Sequence, residues 1–162
     1  FAALVNYVAE KHMPYRFAMV SSSNLKPFLN LISEEGKRIL TVINRSVLTD
    51  REINTIIRKS IAVFRLDKEV TQSGVVPVSY MNQTPIIARN IPGLKQHIDH
   101  DKNGYVVPFD CSPVALVEAM NHVKENFLAL SLNARSSYDS VWSEAHFDEY
   151  YQWLIHIMDG KR

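Results

Sequence analysis

Ser73, Gly74, Val75 and Val76 form the stretch of this chain best suited to holding an anion. A glycine loop that runs into the first turn of a helix offers main-chain N–H groups without helical partners, and the helix dipole adds positive potential at the same place. Such a site needs no particular side chain. Nearby, Lys68 would add positive charge and Glu69 a carboxylate, while Thr71 and Ser79 would add hydroxyls on either side of the glycine. Each has a plainer reading: Lys68 and Glu69 as solvated loop charges, and Gly74 as a turn between a strand and a helix. Asn44 and Arg45 follow an apolar run and would either contact a ligand or carry the chain from strand to loop.

The elements that must position these residues are readable from periodicity. Ile61 to Leu66 is a short apolar run with β-branched members, as expected of a strand buried on both faces. Asp67 to Ser73 is polar, and from Gly74 the chain has room for about two helical turns, with Pro77 tolerable only in the first. Pro85 breaks that pattern, and Ile86 to Ala88 resumes as a strand. Upstream, Phe1, Leu4, Val5 and Val8 have helical spacing and lead to a strand-like run, Arg16 to Val20. Leu25 to Ile32 repeats the helical spacing, with Gly36 as its expected terminator, and Ile39 to Ile43 is the next strand. Thr49 and Glu52 form a capping box that opens a helix with Ile53, Ile56 and Ile57 on one face.

Downstream, Ile91-Pro92-Gly93 is a turn, Leu94 to Ile98 a short helix and Tyr105 to Val107 a strand. Ser112 and Pro113 mark a helix start that turns Leu116, Ala119, Met120 and Val123 inward and Glu118 to solvent. From Asn126 the pattern is helical almost to the end, with a break near Ser140, a new start at Ser143 and aromatics at Phe147, Tyr150, Tyr151 and Trp153. Short buried strands alternating with helices predict an α/β domain with a Rossmann-like, doubly wound parallel sheet.

One string carries a more specific signal. Gly74-Val75-Val76-Pro77-Val78, Met81, Thr84-Pro85-Ile86-Ile87-Ala88, Gly93, Asn103 to Pro108, Pro113, Leu116 and Ala119 occur in the order found in one family. The chain resembles the C-terminal, nucleotide-sugar-binding domain of the retaining, group 1 GT-B glycosyltransferases. The resemblance implies a single domain over residues 1–162 that lacks its first strand and its N-terminal acceptor domain. It implies a nucleotide diphosphate sugar as donor, bound through Ser73, Gly74, Val75 and Val76, and retaining transfer to a glycan, lipid-linked or protein acceptor. Base or phosphate contacts would come from Asn44, Arg45 and Lys68.

The family brackets its glycine loop with two glutamates, one on the donor sugar and one on the ribose hydroxyls. Alignment on Gly74 and Pro77 puts Thr71 and Ser79 there; alignment on Thr84-Pro85 puts Val70 and Val78 there. Both carboxylates are absent either way, and a hydroxyl supplies no negative charge to a developing cation. Glu69 is the remaining candidate for the first role. Gln96 stands where the family has a glutamate and Ser112 where it has an aspartate, and Trp142 matches a tryptophan that precedes a terminal bracing helix. A second expectation is therefore a glycosyltransferase-like binding or assembly module that has lost catalysis.

Bulk properties narrow the remaining classes. A length of 162 residues with 46% apolar content is enough for one domain with a sizeable core. With 18 Lys and Arg against 17 Asp and Glu, no global field would recruit nucleic acid or an anionic membrane. Cys111 is the only cysteine, which excludes an intrachain disulfide and fits a reducing, cytoplasmic setting. No apolar run approaches a membrane span, so any placement at the inner face of a membrane would come through other parts of the polypeptide. The six histidines show no ligand spacing, so neither a metal nor a cofactor is expected. Phe1 opens inside a helical pattern, and the expectation is a piece of a longer polypeptide.

Overall fold

A computed structural model describes residues 1–69, 74–148 and 151–152. Strands and helices alternate: α1 (Ala2–Glu10), β1 (Phe17–Ser21), α2 (Lys26–Leu29), α3 (Glu34–Ile39), β2 (Leu40–Asn44), α4 (Asp50–Arg58), β3 (Val63–Arg65), α5 (Val75–Met81), β4 (Ile86–Arg89), α6 (Pro92–Lys95), β5 (Gly104–Val107), α7 (Pro113–Glu125) and α8 (Phe127–Val141). Every ladder is parallel: β1 pairs with β2, and β3, β4 and β5 pair in that order. This is the α/β, Rossmann-like arrangement that the alternation predicts. Ile86, Ile87 and Ala88 are completely buried, because helices cover both faces of β4.

The two faces have separate cores. Ile87 and Val107 join Leu4, Val5 and Val8 of α1 and Leu116, Met120 and Val123 of α7, and the same core continues to Phe17 and Leu40 on the first ladder. Ile86 and Ala88 pack on the other side against Val76 and Tyr80 of α5, Leu94 of α6 and Ala134 of α8. The strands β1 and β3 share no ladder, so each keeps one edge unpaired by any strand among the described residues. Aromatic rings join them instead. Phe1 lies 5.5 Å from Phe17 and 5.6 Å from Phe64, and Phe17 lies 6.4 Å from Phe64.

Most boundaries fall within a residue or two of the periodicity, and the departures have physical causes. Gly36 does not end a helix. It sits inside α3, where its N–H donates to the Ser33 cap at 3.0 Å. A Cβ there would lie 2.8 Å from Asn6 Oδ1 and 2.9 Å from Ile32 Cγ2, so the glycine lets α3 close on α1. The segment Leu25 to Ile32 is helical only at α2. Ile61 is exposed, and the third strand begins at Val63. The late break falls at Trp142, whose ring packs on Tyr80 and His97. Tyr150 and Trp153 lie outside the described residues.

Candidate functional site

The chain leaves β3 at Arg65, passes the exposed Lys68 and Glu69, and enters α5 at Gly74. Thr71 and Ser73 lie outside the described residues. Gly74 is the N-cap of α5, and Pro77 is the third helical residue, inside the first turn where no N–H is needed. With φ at −59° and ψ at −16°, Gly74 has a conformation open to any residue. A Cβ at Gly74 would meet nothing within 4 Å. The fold therefore does not require glycine there, and the residue leaves bare, exposed backbone at the helix start.

Two side chains lock that helix onto the sheet. Val76 and Tyr80 are completely buried. The Tyr80 hydroxyl donates to Asn103 Oδ1 at 2.9 Å, and Asn103 Oδ1 also accepts from the Asp99 N–H at 2.9 Å. Asn103 Nδ2 donates to Ser137 Oγ on α8 at 3.0 Å. Burial pushes the Tyr80 hydroxyl well above its ordinary titration range, so it stays a neutral donor.

Ser79, one of the two residues (with Val78) that the resemblance offers for the ribose position, faces the sheet. It is completely buried, and its Oγ has no hydrogen-bond partner. It lies on the inner face of α5, beside Val76 and Tyr80. Asn44 and Arg45 follow β2 on the other ladder and have local partners. Asn44 Nδ2 donates to the Ser21 and Ser23 carbonyls, both at 2.8 Å. Arg45 pairs with Glu52, which also accepts from the Thr49 N–H and Oγ1, each at 2.9 Å. Those Thr49 bonds, backbone first, with the Arg45 charge added, hold the Glu52 carboxyl below its usual range. The strand-to-loop role accounts for all of these contacts.

Arg65 and Arg89, which the motif string does not include, end β3 and β4. Both have an Nε sealed from solvent without a hydrogen-bond acceptor. The only sequence signal for them is a cation closing an apolar strand. A shallow depression of about 480 Å³ lies elsewhere, beside the edge strand β5, lined by Asn90, Lys95, Ile98, Asp99, His100 and Val106. There His100 Nδ1 accepts the Val106 N–H at 3.1 Å and satisfies a donor of the open edge.

No protein-family model matches the chain, and no curated protein matches it. Its fold does match solved structures. HepE of Anabaena, solved in complex with UDP, superposes with a TM-score of 0.76 at 12% identity, covering 94% of this chain and 44% of that one. Sucrose-phosphate synthase of Thermosynechococcus elongatus gives 0.74 at 16% identity, covering 98% and 43%. The pneumococcal O-GlcNAc transferase GtfA, in complex with UDP and GlcNAc, gives 0.72 at 11% identity, covering 96% and 32%. These are GT-B glycosyltransferases, and at such identities the likeness is one of fold. The chain spans less than half the length of each of these three structures.

Proposed function

We propose that the chain is the donor-binding, C-terminal half of a retaining GT-B glycosyltransferase of the group 1 type. The observation that carries this reading is the bare, exposed backbone at Gly74, at the start of the helix that follows β3, on a fold shared with enzymes solved with UDP. In open parallel sheets, ligands bind outside the carboxyl ends of the strands. A nucleotide diphosphate there would accept hydrogen bonds from the amides of Ser73, Gly74, Val75 and Val76, with Lys68 adding charge. These groups would stabilise the diphosphate as it leaves, which is where negative charge develops in glycosyl transfer. Glu69, an exposed carboxylate on the loop before Gly74, is the candidate to support the sugar as it becomes cationic.

The reading places the acceptor-binding N-terminal domain on another part of the polypeptide, closing over this crevice. A further strand between β1 and β3 would join the two ladders into one six-stranded sheet, in which the first strand lies at the centre. The acceptor would be a glycan, lipid-linked or protein substrate, and polysaccharide biosynthesis in the cytoplasm is the setting. Among the described residues no helix is long and apolar enough to cross a membrane.

A second reading is favoured by one observation: Ser79, which the resemblance aligns, in one of two registers, with the family's second glutamate, is sealed in the core. Under it the domain binds a sugar nucleotide, or a partner of the synthesis complex, without turnover. The two readings separate in one assay. The protein, on its natural polypeptide, is incubated with UDP and GDP sugars, and saturation and nucleotide release are followed together. Saturation with release supports the enzyme, saturation without release supports the non-catalytic module, and no saturation contradicts donor binding altogether.

A further inference from the structure

Arg65 and Arg89 close adjacent strands, but they differ in what faces them. Arg65 Nε lies 3.1 Å from Asp67 Oδ2, so its charge is matched within its own loop, although the pair misses hydrogen-bond alignment. Arg89 has no such partner. Among the described residues no carboxylate pairs with it, and its guanidinium carbon stands 5.2 Å from the centre of the exposed Phe109 ring. A half-buried guanidinium without a counter-charge is an unfavourable arrangement unless something anionic arrives to match it.

Its place in the sheet says where that anion would lie. Arg65 is in register with Ala88, so Arg89 stands one residue further toward the carboxyl edge. Its own partner in the next strand is Val107, the last residue of β5, and the neighbouring Asn90 N–H is fixed to the Val107 carbonyl at 2.9 Å. The root of the side chain is thus held by the ladder while its head is unmatched. In strand alternation Arg89 shares a face with Ile87, against α1 and α7, and Arg65 shares one with Ile86 and Ala88, against α5.

We infer that Arg89 is an anion-binding residue of the donor site, contacting a phosphate oxygen of a nucleotide diphosphate laid across the carboxyl ends of β3 and β4. This rests on the nucleotide-sugar reading above. The planar fork of a guanidinium matches a phosphate in a way that a lysine ammonium does not. Because Arg89 touches phosphate and not base, its loss should be felt by the diphosphate alone.

The test is calorimetric titration of the protein, on its natural polypeptide, with UDP and with uridine, comparing wild type, Arg89→Gln and Arg89→Lys. Arg89→Gln is expected to weaken UDP at least about tenfold, the scale of one lost charged hydrogen bond, with uridine affinity unchanged. Arg89→Lys should recover part of the loss, and neither variant should lower the melting temperature. Equal UDP affinity in Arg89→Gln overturns the inference, as does a parallel loss of uridine, which would make Arg89 a structural residue. Failure of the wild type to bind UDP overturns the donor reading itself, and this inference falls with it.

Discussion

The glycines at 74 and 104 show how the same residue type serves opposite ends. A Cβ at Gly104 would lie 2.5 Å from the Ile86 carbonyl oxygen and 3.0 Å from Ile98 Cγ2, so β5 approaches β4 only because no side chain intervenes. Backbone cannot yield as a flexible side chain would. Gly104→Ala should therefore cost about 2 kcal/mol or more in urea unfolding, the scale of overpacking, whereas Gly74→Ala should change stability by no more than a few tenths. Glu52 supplies a second residue-scale prediction. Its carboxyl is held below the usual range in the fold, so its stabilisation is present at neutral pH and disappears as pH falls through the lowered value. Glu52→Gln should flatten the acid limb of the stability curve, measured by denaturant midpoint against pH. The capping box behind this was legible because Thr49 and Glu52 are three residues apart and satisfy each other locally. Gly36 was misjudged because its reason is Asn6, thirty residues away. Arg89 left only the weak trace of a cation closing an apolar strand, since an absent counter-charge exists only in three dimensions.

Elements were legible where a single period dominated, and less so where tertiary bonds set the end. The strands β1, β2, β4 and β5 and the helices α4, α5 and α7 follow their apolar spacing closely, while β3 is shorter than its apolar run. By contrast, α2 shrank to four residues, and α8 runs to Val141 before Trp142 turns onto Tyr80 and His97. Asn103, just before β5, acts as a junction. Asn103 joins α5, the loop at Asp99 and α8 through one buried side chain. Tyr80→Phe should cost about 1 kcal/mol, the net worth of a single hydrogen bond, because Asn103 Oδ1 keeps its bond from Asp99. Asn103→Ala should cost more, since it removes the bonds to the Asp99 N–H and to Ser137 as well and leaves the Tyr80 hydroxyl only the longer 3.3 Å contact with the His97 carbonyl. Thermal unfolding of the two variants distinguishes a junction from a simple turn, and an equal cost would contradict the junction.

At the scale of the molecule, two parallel ladders share one core, and a cluster of three phenylalanine rings runs from β1 to β3. The fold class was legible because alternation of buried strand and helix leaves few other solutions. The site was legible only as far as the backbone carries it. Gly74 stands at the helix start as its sequence context implies, while Ser79 is turned inward by the same helical period that buries Val76 and Tyr80. The proposed donor site is built on amides and needs no acidic side chain, and that is the central claim. The most direct measurement is calorimetric titration of UDP into wild type and Gly74→Pro, with the melting temperature of each. Proline fits the φ of −59° at this position but removes one amide donor. The account predicts saturable binding to the wild type, a loss of at least about tenfold in the variant, and an unchanged melting temperature. Equal affinity in the two proteins would contradict a diphosphate held at Gly74.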